Sequence, residues 1–82
     1  LNKLHISRPD LILLDLDMPL IDAPGFRAIQ QRLPGYETIP VVLMSGSQRL
    51  VEKAHELRVN AYLKKPIDLP GLFATLARLL NP

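Results

Sequence analysis

Short apolar runs alternate with longer segments of helical periodicity along this chain of 82 residues. The runs are Leu11–Leu14, Ile39–Met44 and Ala61–Leu63, and eight prolines punctuate the sequence. Strands that alternate with helices pair in parallel through right-handed crossovers, so this order predicts an α/β fold with three parallel strands. The continuous apolar character of Leu11–Leu14 is typical of a strand that is buried on both faces.

The segment after the first run carries the signals of a helix. Asp22 is a favourable N-cap residue, and Pro24 falls in the first turn, where proline is tolerated. Phe26, Ile29 and Leu33 follow at helical spacing and share one face. The pattern therefore predicts an amphipathic helix that packs on the sheet through these three side chains.

Two further helices are predicted toward the C-terminus. One covers Gln48–Leu57, and the other begins at the cap residue Asp68. The last helix carries a strong apolar stripe, which comprises Leu69, Leu72, Phe73, Leu76, Leu79 and Leu80. We expect this stripe to lie in the core. Residues Leu1–Ile6 resemble the last turn of a preceding helix.

Composition excludes several classes of protein. Without cysteine the chain forms neither disulfides nor a cysteine metal cluster. Its longest apolar run is far shorter than the roughly 20 residues that a membrane-spanning helix needs. The net charge is only +2, and basic and aromatic residues are scattered, whereas nucleic-acid-binding proteins concentrate them on one face. We therefore expect one cytoplasmic domain that binds no membrane and makes no direct contact with nucleic acid.

Polar side chains follow each predicted strand where it ends. Asp15 and Asp17 follow the first strand, Ser45 follows the second and Lys65 follows the third. The carboxyl ends of parallel strands meet at one edge of a sheet, so we expect these residues to lie close together. A carboxylate beside an ammonium group and a hydroxyl donor can accept a phosphoryl group as an acyl phosphate. Magnesium would be the cation expected there, because it joins carboxylates to phosphates.

Three motifs at these strand ends resemble the receiver domain of two-component response regulators. Leu14–Pro19 matches the pattern apolar-Asp-x-x-Met-Pro, and Met44–Gly46 matches a strand that ends in Ser or Thr and a small residue. Tyr62–Pro66 matches the pattern aromatic-x-x-Lys-Pro. The key residues of successive motifs lie 30 and 20 positions apart, as they do in the family. The resemblance covers nearly the whole chain, and the segments Asn60–Tyr62 and Lys65–Asp68 look like the single-domain branch of the family.

The resemblance implies a role for each of these residues. Asp15 would be the phospho-acceptor and would hold Mg²⁺ together with the backbone carbonyl of Asp17, whose side chain we expect in solvent. Ser45 would be the switch hydroxyl, and Tyr62 the aromatic residue that turns inward when Ser45 binds phosphate. Lys65 would be the conserved cation, joined to the following proline by a cis peptide bond.

The function implied by the resemblance is phosphorelay signal transduction. A histidine kinase or a phosphotransfer protein would donate the phosphoryl group to Asp15. The added dianion would then bias a surface around the fifth strand and last helices of the family fold, and a partner would bind that surface.

The sequence departs from the family pattern in its loops. Leu20–Phe26 forms a loop two residues longer than the turn that usually follows the first motif. Arg58 stands where glycine commonly ends a helix, and a left-handed conformation there would cost about 1 kcal/mol.

The largest departure is at the front of the chain. The family's first strand, first helix and second strand have no counterpart in the sequence, nor does the acidic pair that follows the first strand. Residues 1–82 therefore resemble the C-terminal two-thirds of one receiver domain, a partial flavodoxin-like fold with the third, fourth and fifth strands. The strand Leu11–Asp15 would have an open edge. We expect that edge to be covered by a preceding segment, or by a second copy in a homodimer that forms through the edge or the last helix.

Two alternative functions stay open at this point. A degenerate or truncated receiver would act only as a docking or dimerisation module. A haloacid-dehalogenase-like phosphatase shares the Asp-x-Asp pattern of Asp15 and Asp17, with Asp17 as general acid and base. Against the phosphatase, Met18 and Pro19 replace the Gly-Thr pair of that family. We expect a regulatory protein and not an enzyme.

Overall fold

The computed structural model describes residues 9–80, in which three strands alternate with three helices. The elements in chain order are β1 (Ile12–Asp15), α1 (Ala23–Arg32), β2 (Val41–Ser45), α2 (Leu50–Leu57), β3 (Ala61–Lys64) and α3 (Leu69–Leu80). Every strand and helix predicted within this range is confirmed, with bounds that differ by no more than about two residues. The helix end predicted at Leu1–Ile6 lies outside the described residues. No helix between residues 9 and 80 is long and apolar enough to cross a membrane.

The three strands form one parallel sheet in the order β1-β2-β3. Leu43 of β2 is in register with Leu14 of β1 on one side and with Tyr62 of β3 on the other. This is the predicted α/β arrangement, in which helical crossovers join parallel strands. The carboxyl ends of all three strands therefore lie at the same edge of the sheet.

Burial differs sharply between the central strand and its neighbour. Val41, Val42 and Leu43 of β2 are completely buried, as expected for a strand covered on both faces. The prediction that the first strand is buried on both faces is wrong, because Leu14 is buried but Leu13 is 46% exposed. The physical reason is position: β1 lies at the edge of the sheet, and α3 contacts mainly β3 on the far side.

Both predicted N-caps are present. The Gly25 backbone N–H donates to Asp22 Oδ1 at 3.0 Å, and the Gly71 N–H donates to Asp68 Oδ1 at 3.1 Å. A Cβ atom at Gly25 would overlap the Asp22 carboxylate, so glycine allows this cap to close. Each cap satisfies one of the backbone donors that the first turn of a helix leaves without an intrahelical partner.

The face by which α1 packs differs from the predicted one. Ala23 and Gln30 are its buried residues, whereas Ile29 is 62% exposed and Leu33 is exposed as well. Phe26 is half-buried against the core. Gln30 is a tolerable buried residue because its Nε2 donates to the carbonyls of two residues in the loop before β2, at 2.8 and 3.2 Å. The predicted apolar face instead lines a surface cavity of about 320 Å³.

The apolar stripe of α3 is also more exposed than predicted. No residue of this helix is buried, and Leu69 and Phe73 are each 61% exposed. The core instead lies on the opposite side, where α1 and α2 cover the sheet. Its buried members are Leu14, Ala23, Val41, Leu43, Leu50 and Ala54.

The end of α2 has the strained backbone that the sequence indicated. Arg58 adopts the left-handed conformation, with φ 56° and ψ 42°. Arg27 of α1 stabilises this turn, since its guanidinium donates to the carbonyls of Leu57 at 2.9 Å and Arg58 at 2.8 Å. The side chain therefore satisfies carbonyl groups that the end of a helix leaves unpaired.

Candidate functional site

The sheet brings the predicted site residues to one edge. Asp15 is the last residue of β1, and Ser45 is the last residue of β2. Lys65 follows β3 directly, and its backbone N–H donates to the Ser45 carbonyl at 2.9 Å, which extends the ladder by one residue. The peptide bond between Lys65 and Pro66 is cis, as the resemblance implied. Three strand ends thus deliver a carboxylate, a hydroxyl and an ammonium group to a common rim.

The ammonium group of Lys65 bridges the Asp15 carboxylate. Lys65 Nζ lies 3.0 Å from Asp15 Oδ1 and 2.9 Å from Oδ2. Both side chains are partly shielded from water, and the contact of the ammonium group with both carboxylate oxygens makes these charge-assisted hydrogen bonds. The Lys65 hydrogen bond, followed by the bond from the Asp17 backbone N–H, lowers the pKa of Asp15 below its ordinary value of 3.8. Asp15 is therefore ionised at neutral pH, as a nucleophile must be.

The carboxylate of Asp17 belongs to the same cluster, although the sequence placed it in solvent. Ser45 Oγ donates to Asp17 Oδ1 at 2.9 Å, and the Gly46 backbone N–H donates to Asp17 Oδ2 at 2.9 Å. Lys65 Nζ lies 3.3 Å from Oδ2. The Gly46 hydrogen bond and then that of Ser45 lower the pKa of Asp17. The carboxylate is 42% exposed, as predicted, but it also accepts hydrogen bonds from the end of β2, because the turn after β1 directs it there.

Local hydrogen bonds explain how Asp17 reaches its partners. The Asp17 N–H donates to Asp15 Oδ1 at 2.9 Å, and the Met18 N–H donates to the Asp15 carbonyl at 3.3 Å. The backbone therefore turns at Asp17, a common use of an aspartate at the start of a turn. Sequence reasoning also missed the Gly46 amide, a donor that no side-chain motif records. The only available signal was its place directly after Ser45 at a strand end.

Tyr62 stands apart from this cluster. Its side chain is 45% exposed and makes none of the hydrogen bonds that join the rim residues within 9–80. Instead it lines a cavity of about 310 Å³ together with His55 and Arg58. A second cavity of similar volume opens beside the rim and is lined by Asp17, Ser45 and Lys53, among others. Small groups can therefore approach the rim from the side of α2.

The donor set fits part of a magnesium site. The Asp15 carboxylate and the backbone carbonyl of Asp17 are hard oxygen ligands, the kind that Mg²⁺ prefers. Residues 9–80 contain no group of three acidic or histidine side chains arranged around a common centre. Mg²⁺ commonly keeps several waters and uses one or two carboxylates plus phosphate oxygens, so two protein ligands are compatible with such a site.

Curated relatives resemble this chain over most of its length. Response regulator Rcp1 from Synechocystis sp. is 41% identical over 68 residues, which is 80% of this chain and 46% of Rcp1. The cyclic di-GMP phosphodiesterase response regulator RpfG from Xanthomonas campestris is 37% identical over 83 residues, which covers 99% of this chain and 22% of RpfG. The chain thus spans less than half of either relative.

Solved structures share the fold. The receiver domain of sensor histidine kinase PA1611 from Pseudomonas aeruginosa, which has magnesium in its active site cleft, aligns with a TM-score of 0.78 at 23% identity. This alignment covers 93% of this chain and 64% of that domain. The phosphorylated cyanobacterial phytochrome response regulator RcpA aligns with a TM-score of 0.68 at 36% identity, over 92% of this chain and 58% of RcpA. The three parallel strands therefore correspond to part of a flavodoxin-like receiver fold.

The family is established by the sequence as a whole. Residues 1–77 match the model of the response regulator receiver domain. The match favours a receiver over the dehalogenase-like phosphatase, which shares only the Asp-x-Asp pattern at Asp15 and Asp17. Three further observations support the same family: the rim formed by Asp15, Ser45 and Lys65, the parallel sheet, and the similar proteins named above. This chain belongs to the response regulator receiver domains of two-component phosphorelay systems.

Proposed function

We propose that Asp15 accepts a phosphoryl group from a histidine kinase or a phosphotransfer protein and that a partner binds the surface altered by phosphorylation. The observation that carries this proposal is the position of Lys65 Nζ, within 3.0 Å of both oxygens of the Asp15 carboxylate. The hydroxyl of Ser45 ends the neighbouring strand. Nucleophile, cation and hydrogen-bond donor thus occupy one rim, as phosphoryl transfer requires.

The transfer step follows from the chemistry of these groups. An ionised oxygen of Asp15 attacks the phosphorus of a phosphohistidine on the donor. The new P–O bond forms as the P–N bond breaks, and the electron pair of the P–N bond goes to the ring nitrogen. Because the other ring nitrogen of the phosphohistidine carries a proton, this leaves an acyl phosphate on Asp15 and a neutral imidazole on the donor. Lys65 stays protonated, because hydrogen bonding to Asp15 raises its pKa. Its ammonium group can therefore stabilise negative charge on the transferred group throughout the reaction.

The Asp15 carboxylate and the Asp17 carbonyl would hold Mg²⁺ in this site. When bound, the ion offsets the charge of the phosphate oxygens. Receiver structures similar to this chain carry Mg²⁺ or Mn²⁺, which supports the assignment. The chain's own contribution is to position Asp15 and to supply donors from Lys65 and Ser45.

Ser45 and Tyr62 are the proposed elements of the switch. Ser45 is 1% exposed and fixed at the end of the central strand, so its hydroxyl can bind a phosphate oxygen from a constant position. Tyr62 on the neighbouring strand is 45% exposed and has room to turn. A partner that binds near β3 would detect the difference between the two positions of the ring.

We further propose that the chain corresponds to the C-terminal two-thirds of one receiver domain. The matched structures support this, since the chain covers 64% and 58% of their length. Among residues 9–80, no strand pairs with the outer edge of β1. A preceding segment would cover that edge, or a second copy would do so through the edge or α3. The size of the 82-residue chain in solution tests this, because a well-behaved monomer with a sharp thermal transition would contradict it.

A docking or dimerisation module without phosphorylation is the second candidate function. The exposed apolar side chains of α3, Leu69 and Phe73 above all, favour it.

In either case the segment itself is regulatory and not an enzyme. We place it in the cytoplasm, where ATP-dependent kinases act, without direct contact with nucleic acid.

Phosphorylation of the intact protein tests the leading proposal. Incubation with acetyl phosphate and Mg²⁺ should add the mass of one phosphoryl group. Asp15→Asn should abolish the gain, whereas the matched control Asp10→Asn, at an exposed position outside the rim, should retain it. A protein that gains no mass, or that gains it equally in Asp15→Asn, would contradict the proposal and favour the docking module.

A further inference from the structure

Three donors at the rim that could hold a phosphoryl group on Asp15 bind the carboxylate of Asp17. These donors are Ser45 Oγ at 2.9 Å, the Gly46 N–H at 2.9 Å and Lys65 Nζ at 3.3 Å. We call them the anion subsite. A carboxylate presents two oxygens to it, and a phosphoryl group would present three. Asp17 therefore occupies the place of the group that the rim is proposed to receive.

The hydroxyl of Ser45 cannot serve both anions at once. It has one proton, which it donates to Asp17 Oδ1, and its oxygen accepts from the Ser47 N–H at 2.9 Å. Gly46 has a single N–H, which is committed to Asp17 Oδ2. Binding of a phosphate oxygen to either donor therefore requires the Asp17 carboxylate to leave.

Charge adds to this competition. The single ammonium group of Lys65 faces two carboxylates, so the rim keeps a net negative charge. An incoming phosphoryl donor is itself an anion, and its repulsion by Asp17 adds to that by Asp15. Removal of the Asp17 charge would leave Asp15 and Lys65 as a neutral pair.

The surroundings of Asp17 leave room for its side chain to rotate out of the subsite. The side chain is 42% exposed, so its carboxylate can exchange protein donors for water. The cavity beside the rim offers the space, and Lys53 on α2 lines the same cavity as Asp17 and Ser45. Departure of Asp17 would therefore be a local rotation that frees the anion subsite.

From these contacts we infer that Asp17 is an internal competitor for the anion subsite. Its carboxylate occupies the subsite in the unphosphorylated chain and must leave before phosphate binds there. This inference deepens the proposed function, on which its consequence for phosphorylation of Asp15 rests. Asp17 thereby sets how readily the rim takes up phosphate.

Binding of inorganic phosphate tests the competition without any reaction at Asp15. In the intact protein, an NMR titration in EDTA follows the Gly46 amide in the wild type, Asp17→Ala, Asp17→Asn and the control Asp10→Asn. We expect Asp17→Ala to bind phosphate at least about tenfold more tightly than the wild type, with Asp17→Asn between them. The control should match the wild type. Equal affinity in all four proteins, or no response of the Gly46 amide in Asp17→Ala, would overturn the inference.

Phosphorylation by acetyl phosphate gives the second measurement. All variants keep the backbone carbonyl of residue 17, so the proposed metal ligand is unchanged. We expect Asp17→Ala to be phosphorylated about tenfold faster than the wild type. A rate equal to or below the wild-type rate would contradict the role of Asp17 in phosphorylation. If no variant is phosphorylated but Asp17→Ala still binds phosphate more tightly, the proposed function fails and the competition at the subsite stands.

Discussion

The rim of the sheet and its outer surfaces differ in how completely their side chains are paired or buried. At the rim, Asp15, Asp17, Ser45 and Lys65 satisfy one another through hydrogen bonds of 2.9–3.0 Å and an ion pair of 3.3 Å. On the outer surfaces, apolar side chains of β1, α1 and α3 remain exposed. The difference teaches that a site at three adjacent strand ends depends on those strands and on the turns that follow them. Burial of a helix face depends on everything that packs around it.

The largest expected effect concerns the stability of the two regions. Leu43→Ala should lower the free energy of unfolding by about 4 kcal/mol, because it leaves a cavity in the completely buried central strand. Leu69→Ala makes the same chemical change at a 61% exposed position and should cost less than about 1 kcal/mol. Urea denaturation measures both values. An equal loss of unfolding free energy in the two variants would contradict this difference between the regions. It would mean that Leu69 is buried by another part of the protein.

The next largest effect is a slower rate of phosphorylation when a rim residue is changed. Lys65→Met should slow phosphorylation by acetyl phosphate about 100-fold, since it removes a preorganised charged donor to the transferred group. Lys64→Met changes the neighbouring exposed lysine and is the matched control, with an expected rate close to the wild type. Rates come from mass spectrometry over time. The role of Lys65 would be refuted if both variants slowed alike.

A smaller effect, on stability alone, is expected at the end of the sheet opposite the rim. Arg58→Gly should raise the free energy of unfolding by about 0.5 kcal/mol, because glycine relieves the left-handed strain and loses part of the gain to unfolded-state entropy. The phosphorylation rate should not change. Thermal unfolding and the rate assay together check this, and a change in rate would indicate coupling between the two ends.

The smallest effect is the pH dependence of stability that comes from the rim. The pKa values of Asp15 and Asp17 are lowered in the folded chain, so their contribution is fully present above their ordinary value of 3.8. It is lost as the pH falls through the lowered pKa values. The pKa of Lys65 is raised above 10.5, so its contribution is lost only as the pH rises through that higher value.

Thermal unfolding between pH 2 and 7 in EDTA measures the acid side of this dependence. The double variant Asp15→Asn, Asp17→Asn should lose less stability on acidification than the wild type, whereas Asp10→Asn should behave like the wild type. An unchanged acid slope in the double variant would mean that hydrogen bonds at the rim do not favour the ionised carboxylates in the folded state.

Much of the site was predictable because strand ends converge. Asp15, Ser45 and Lys65 each follow an apolar run, and parallel strands place their carboxyl ends at one edge whatever the details of packing. The role of Asp17 was not predictable in this way. Its carboxylate meets Ser45 and Gly46 only because the backbone turns after β1, and a turn direction depends on local hydrogen bonds that no residue pattern specifies.

The sequence alone determined the alternation of strands and helices, the caps at Asp22 and Asp68, and the strain at Arg58, since these depend on neighbours along the chain. The tertiary structure decided which apolar faces are covered and which donors Asp17 binds. Leu13 and Ile29 have the same character as buried residues, yet both are exposed. The physical reason is that burial and hydrogen bonding across the fold depend on residues distant in the chain, and a local pattern carries no record of them.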